Sequence, residues 1–227
     1  MADEVAVCTK NIFTGNLERF IRFSCTIITL SGAAYFLYNY ARSSRKSTKK
    51  QQRNKSLEVL FFPDKKLACN SFLQGFGCKR SKCPYAHEET SLSKLIKTIS
   101  RAKQTLDVCV FTINCHELAN AVVELHNNGV TVRVLTDDEQ MGSSGSQIQK
   151  FREVGILVRH DLSSFFMHHK FAIIDDMILL NGSFNWTRQA VTGNRENVVI
   201  SNDMHLVKKF KDEFEKLWVE YDPSKRS

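Results

Sequence analysis

One short stretch of the chain gathers the side chains best suited to act on a phosphate ester: His168-His169-Lys170, then four residues, then Asp175. On a strand, residues two apart share a face. His168 and Lys170 therefore point one way, His169 and Phe171 the other. An imidazole can attack or carry a proton, and an ammonium beside it is a fixed positive charge. After Asp175 and six intervening residues comes Gly182-Ser183-Phe184-Asn185, whose hydroxyl and amide offer hydrogen bonds to the same phosphate. Glu196 begins the next expected strand and is positioned in sequence to hold one histidine nitrogen in a fixed tautomer. With seven His in 227 residues, a chance H-x-K-x4-D arises at roughly 3%. The added G-S-x-N and Glu lower that by orders of magnitude, so an ordinary core histidine is a poor explanation.

These residues need a scaffold, and the periodicity supplies one. Leu92, Leu95, Ile96, Ile99 and Ala102 repeat at helical spacing, followed by the apolar run 106–113, read as a buried strand. A helix from Asn114 toward Gly129, a strand at 130–135, a helix around Ile148, Phe151 and Val154 and a strand at 156–159 come next. Alternation of this kind implies an α/β fold with a mixed, largely parallel sheet flanked by helices. The pattern then turns hairpin-like, HHKFAII and MILLN about a turn at Asp175-Asp176, with a strand at 196–200 and an amphipathic helix using Leu206, Phe210, Phe214, Leu217 and Trp218.

Upstream, Cys69, Cys78, Cys83 and His87 fall within nineteen residues. Four such ligands can close a tetrahedral shell around Zn²⁺, and Gly75 and Gly77 provide tight turns. Seven cysteines, an odd number, argue against a disulfide framework. The spacing resembles that of CCCH zinc fingers, with Phe72, Phe76 and Tyr85 among the ligands and Lys79, Arg80 and Lys82 nearby. The resemblance implies either a structural staple or a surface for single-stranded RNA, rings stacking on bases and basic groups meeting phosphates.

The charge is unevenly spread. Of the formal +8, residues 1–60 carry +6, residues 61–90 carry +2, and residues 91–227 balance to zero. Residues 23–41 contain no charge at all, and as a helix they would span about 28 Å, close to a bilayer core. Tyr35, Tyr38 and Tyr40 crowd one end, and seven basic residues stand in 42–55 without an acid. The positive-inside rule then keeps the chain from residue 42 onward in the cytosol. The expected organisation is a tail (1–22), a transmembrane anchor (23–41), a basic neck (42–60), the zinc finger (61–90) and a catalytic domain (91–227).

The text SQI, VRHD, MHHKFAIID, SFNWT and NRENV around the H-x-K-x4-D motif resembles the phospholipase D superfamily. That resemblance implies a phospholipase D-like sheet and a phosphodiesterase needing no catalytic metal, with the Zn²⁺ only structural. One chain has one motif, whereas the family's chemistry uses two histidines, so a homodimer sharing one site is implied. His168 would form a phosphohistidine, and His168 of the second copy would serve the leaving oxygen. Lys170 and Asn185 would bind non-bridging oxygens, Ser183 would add a hydrogen bond, and Asp175 and Glu196 would orient side chains. Two substrates are implied. One is single-stranded RNA, cut endonucleolytically in making piRNAs; the other is cardiolipin or another anionic phospholipid at the mitochondrial outer membrane, giving phosphatidic acid. Two rivals stand beside these: a metal-dependent nuclease using Asp137-Asp138-Glu139, and a membrane-tethered RNA-binding adaptor without catalysis.

Overall fold

Seven strands form one sheet in the order β1-β7-β6-β5-β2-β3-β4. They are β1 (Leu57–Phe61), β2 (Thr105–Val110), β3 (Thr131–Thr136), β4 (Leu157–His160), β5 (Lys170–Ile174), β6 (Ile178–Gly182) and β7 (Asn197–Ser201). The computed structural model describes residues 35, 38–40 and 56–225. The chain divides into two units, Met1–Asn54 and Lys55–Ser227. In the first, residues 35 and 38–40 are helical and Tyr35, Tyr38 and Tyr40 are exposed. The rest of the expected anchor, and the neck up to residue 55, lie outside the described residues. Among the described residues no helix is long and apolar enough to cross a membrane.

Half of the sheet follows the periodicity. Parallel β2, β3 and β4 are joined by the helices His116–Asn127 and Ile148–Glu153. The other half corrects it. β5 pairs antiparallel with β2, and β6, β7 and β1 continue antiparallel. The sheet is therefore mixed but not largely parallel. The reason is local: a two-residue turn can join only antiparallel strands. Asp175 and Asp176 make that turn with φ of 51° and 54°, the left-handed pair that a tight hairpin requires.

β1 is a second correction. Leu57–Phe61 straddles the expected boundary between neck and finger, yet it pairs with β7 as an edge of the sheet. Only Leu60 of its five residues is buried.

Alternation along the strands fills both faces. Leu106, Val108 and Val110 of β2, with Ala172 and Ile174 of β5, pack against the helices Ser91–Ile99 and His116–Asn127. Cys109, Phe171 and Ile173 point the other way, onto Phe214, Leu217 and Trp218 of the helix Met204–Glu220. On that second face the buried carboxylate of Asp107 takes both Arg133, at 2.8 and 2.9 Å, and Lys211, at 2.7 Å. A buried charge is tolerable only when paired in this way.

Candidate active site

His168 stands two residues before Lys170, which is the first residue of β5. The i, i+2 relation holds: Lys170 Nζ lies 3.1 Å from His168 Nδ1 and donates to the His168 carbonyl at 2.9 Å. The His168 ring is exposed and sits 4.6 Å from Phe111. Burial holds the Lys170 ammonium below the usual lysine range, while the Glu196 carboxylate works against that. His169 points to the opposite face, against Phe171 and 3.9 Å from Glu213.

Ser183 and Asn185 come directly after β6, and Gly182 sets where they stand. A Cβ on Gly182 would lie 2.8 Å from the carbonyl carbon of Asn197 and closer still to its oxygen, so β6 and β7 can close here only around glycine. Ser183 Oγ donates to Glu196 Oε2, and Asn194 Nδ2 donates to Oε1 at 3.0 Å. Among the described residues the side-chain partners of Glu196 are thus Ser183 and Asn194, and within one chain its carboxylate does not reach His168. Among the described residues Asn185 Oδ1 is buried without a hydrogen-bond partner, which a buried amide oxygen rarely is.

Asp175 is the larger correction. It sits beyond the far end of β5 from Lys170, and its carboxylate accepts the backbone N–H groups of Lys103, Gln104 and Thr105 at 2.7–3.1 Å. Burial alone would push its carboxyl up; these N–H groups outweigh that and hold it below the usual range. Asp175 therefore fixes the entry to β2 and touches none of the reacting side chains.

Sequence reasoning missed the support behind His168. Asp137, wholly buried after β3, accepts the N–H of Met167 at 3.1 Å. Asp161, buried after β4, accepts the N–H of Asp138 at 3.1 Å, and its Oδ2 has no hydrogen-bond partner among the described residues. Burial, then the charges of Asp137 and Asp138, push the Asp161 carboxyl up. Carboxylate oxygens of Asp137, Asp138 and Asp161 lie within 4.8 Å of one another; Glu139, part of the acidic run singled out in the sequence, is not in the group. The signal available was position, since both Asp137 and Asp161 come after the ends of neighbouring parallel strands.

The candidate metal ligands do converge. Ligating atoms of Cys69, Cys78, Cys83 and His87 lie within 4.8 Å of one another, as a tetrahedral Zn²⁺ with bonds of about 2.3 Å to sulfur requires. Gly75 and Gly77 have φ of 77° and 69°, Ala68 bridges Ala86, and His87 stacks on Phe72 at 5.3 Å. The donor set fits zinc. Beside it is a cavity of about 950 Å³ whose lining includes Phe76, Lys79, Arg80, Tyr85 and Arg188.

Residues 95–218 match the family model described as cardiolipin synthase, PLD-like domain. The chain is 52% identical over 162 residues to a mitochondrial cardiolipin hydrolase of Chlamydomonas reinhardtii, covering 71% of this chain and 73% of the relative. It is 41% identical to the human protein of the same name, covering 77% and 72%. The fold is similar to that of Nuc, a phospholipase D family member from Salmonella typhimurium, with a TM-score of 0.58, 22% identity and coverage of 73% and 95%. With more than half the chain matched and relatives of 41–52% identity covered to over two thirds, the chain belongs to the phospholipase D-like phosphodiesterases, in the family whose curated members are named mitochondrial cardiolipin hydrolase.

Proposed function

We propose that the chain hydrolyses phosphodiesters through a phosphohistidine, in a homodimer, with single-stranded RNA as its substrate. The observation that carries this is the His168–Lys170 pair, an imidazole nitrogen 3.1 Å from an ammonium on an open surface, present once per chain. A displacement through nitrogen needs one imidazole to attack and another to protonate the leaving oxygen. Two copies meeting about a two-fold axis supply both.

His168 of one copy attacks phosphorus, and the P–O bond to the leaving group breaks. His168 of the second copy gives that oxygen a proton. The same ring then takes a proton from water, which attacks phosphorus and breaks the P–N bond, freeing a phosphomonoester and the first histidine. Lys170 of each copy offsets charge building on the non-bridging oxygens. Asn185 turns its amide to the same oxygens, and Ser183 adds a hydrogen bond while holding Glu196 in place.

RNA is favoured by the finger. Cys69, Cys78, Cys83 and His87 hold a structural Zn²⁺, which folds the loop, and around it Phe76 is 78% exposed beside Lys79 and Arg80. Exposed rings next to cations suit unstacked bases. A second reading, hydrolysis of cardiolipin to phosphatidic acid, is supported by the name its curated relatives share. That name also supports a mitochondrial setting; the uncharged run 23–41 and the basic residues after it support an anchor, which we assign to the outer membrane, with the catalytic unit in the cytosol.

The deciding experiment gives one preparation single-stranded RNA and cardiolipin vesicles in parallel, with His168→Asn as control. Cleavage of RNA that the variant has lost supports the proposal. Cleavage of RNA unchanged in the variant sinks the mechanism, and turnover of cardiolipin alone moves the assignment to the lipid. Sedimentation supplies a separate check: full activity at concentrations where only monomer is present would remove the shared site.

A further inference from the structure

The segment leading into His168 is fixed at both ends and bare in the middle. At its start, buried Asp161 accepts the N–H of Asp138 at 3.1 Å; at its end, buried Met167 donates its N–H to Asp137 at 3.1 Å. Between them Ser163 Oγ closes a turn, accepting the Phe165 N–H at 3.1 Å and donating to the Phe165 carbonyl at 2.8 Å. On this frame Phe165 is 82% exposed and Phe166 60% exposed. Exposed rings in a group mark a binding surface far more often than a stray residue does, and a loop already ordered loses little entropy when it binds.

Its location says what binds. Phe166 meets Phe111 edge-on at 5.7 Å, and Phe111 lies 4.6 Å from the His168 ring. Phe111 and Phe166 thus form an aromatic edge directly beside the His168 ring, within reach of groups attached to a phosphate that it attacks. An edge-to-face pair leaves ring faces open for a further flat partner. Two serines, Ser163 and Ser164, interrupt the apolar surface between Leu162 and Phe165, which suits separate flat groups better than a continuous acyl chain.

We infer that Phe166, backed by Phe111, stacks on the nucleobase beside the scissile phosphate, and that Phe165 takes the neighbouring base. This subsite rests on the reading of RNA as substrate and adds the part of the substrate that the phosphate-binding residues do not touch. Stacking tolerates any base, so the platform strengthens binding and sets the register of the strand on His168 without reading sequence.

The test uses the full chain in detergent and a single-stranded RNA oligonucleotide with one mapped cleavage site. A second oligonucleotide lacks the base beside that site, and cardiolipin vesicles form a third arm. Phe166→Ala is expected to lower kcat/KM on intact RNA about tenfold, mostly through KM, as loss of one base–ring stack would. Removing the base should cost wild type a similar factor, and the two losses should not add, because each removes the same contact. Phe166→Trp should restore most of the loss.

Additive losses, an unimpaired Phe166→Ala on intact RNA, or a loss seen on cardiolipin alone would overturn the subsite. So would a loss that tracks dissociation of the variant in sedimentation. Wild type unable to cut the intact oligonucleotide overturns the RNA reading itself, a result distinct from all of these.

Discussion

Lys170 opens β5 and Asp175 lies just beyond its other end, about 17 Å away along an extended strand. The two residues that the H-x-K-x4-D motif joins in sequence are thus divided in task. One stands beside His168; the other seals the turn and the start of β2 through three backbone N–H groups.

Asp175→Asn is therefore expected to cost stability before chemistry, by about 1–3 kcal/mol at pH 7 from weakened hydrogen bonds. Because the folded carboxyl is held low, its stabilising contribution is present above the unfolded value of about 3.9. It is lost as pH falls through the folded value. Urea unfolding of both proteins at pH 7 and pH 3 should show the gap narrowing in acid. An equal gap at both pH values would contradict this assignment.

The two adjacent histidines should behave oppositely. His168→Asn is expected to remove at least about a thousandfold of the rate, as loss of a nucleophile does. His169→Asn, on the opposite face, should stay within about threefold. Burial holds the His169 imidazole low, so its 3.9 Å approach to Glu213 contributes little near neutral pH. Steady-state rates on one substrate settle the contrast.

Asp137→Ala should act on His168 at one remove. It strands the buried Met167 N–H, at about 1–3 kcal/mol, and frees the residue preceding the nucleophile. Lower kcat with little change in KM is the expected signature. A variant that loses stability while keeping full kcat would show that the bond supports the fold alone.

Gly182→Ala forces a methyl onto the Asn197 backbone. The expected cost is about 1–3 kcal/mol of overpacking, with activity falling further because Ser183 and Asn185 shift with β6. Thermal melting and turnover measured on the same sample test both halves.

How much of this was legible depends on how local each feature is. His168, Lys170 and the Asp175-Asp176 hairpin are short-range, and period-two alternation with a two-residue turn was enough to place them. The parallel trio β2, β3 and β4 was also readable, because each crossover helix carries its own apolar stripe. The join of β5 to β2 is a pairing between distant segments, and no periodicity reports it. β1 escaped for a different reason: with only Leu60 inward, LEVLF has no clean alternation. Asp137 stood out only as part of an acidic run and Asp161 not at all, because their bonds to Met167 and Asp138 join segments 23 to 30 residues apart, which spacing does not report. Glu196 was placed at the right strand end, but its true partners, Ser183 and Asn194, depend on a loop geometry that spacing does not encode.

β1 also has a practical bearing on how the protein can be shortened. A soluble version made by removing everything through residue 61 would discard an edge strand rather than a tether. β7 would then present an unpaired row of backbone groups to solvent, an invitation to intermolecular pairing. The Phe62 N–H also bonds the Glu196 carbonyl at 2.9 Å, so the damage would extend toward the residue that holds Ser183. A cut before Ser56, whose N–H reaches Asn202 at 2.7 Å, keeps that edge closed.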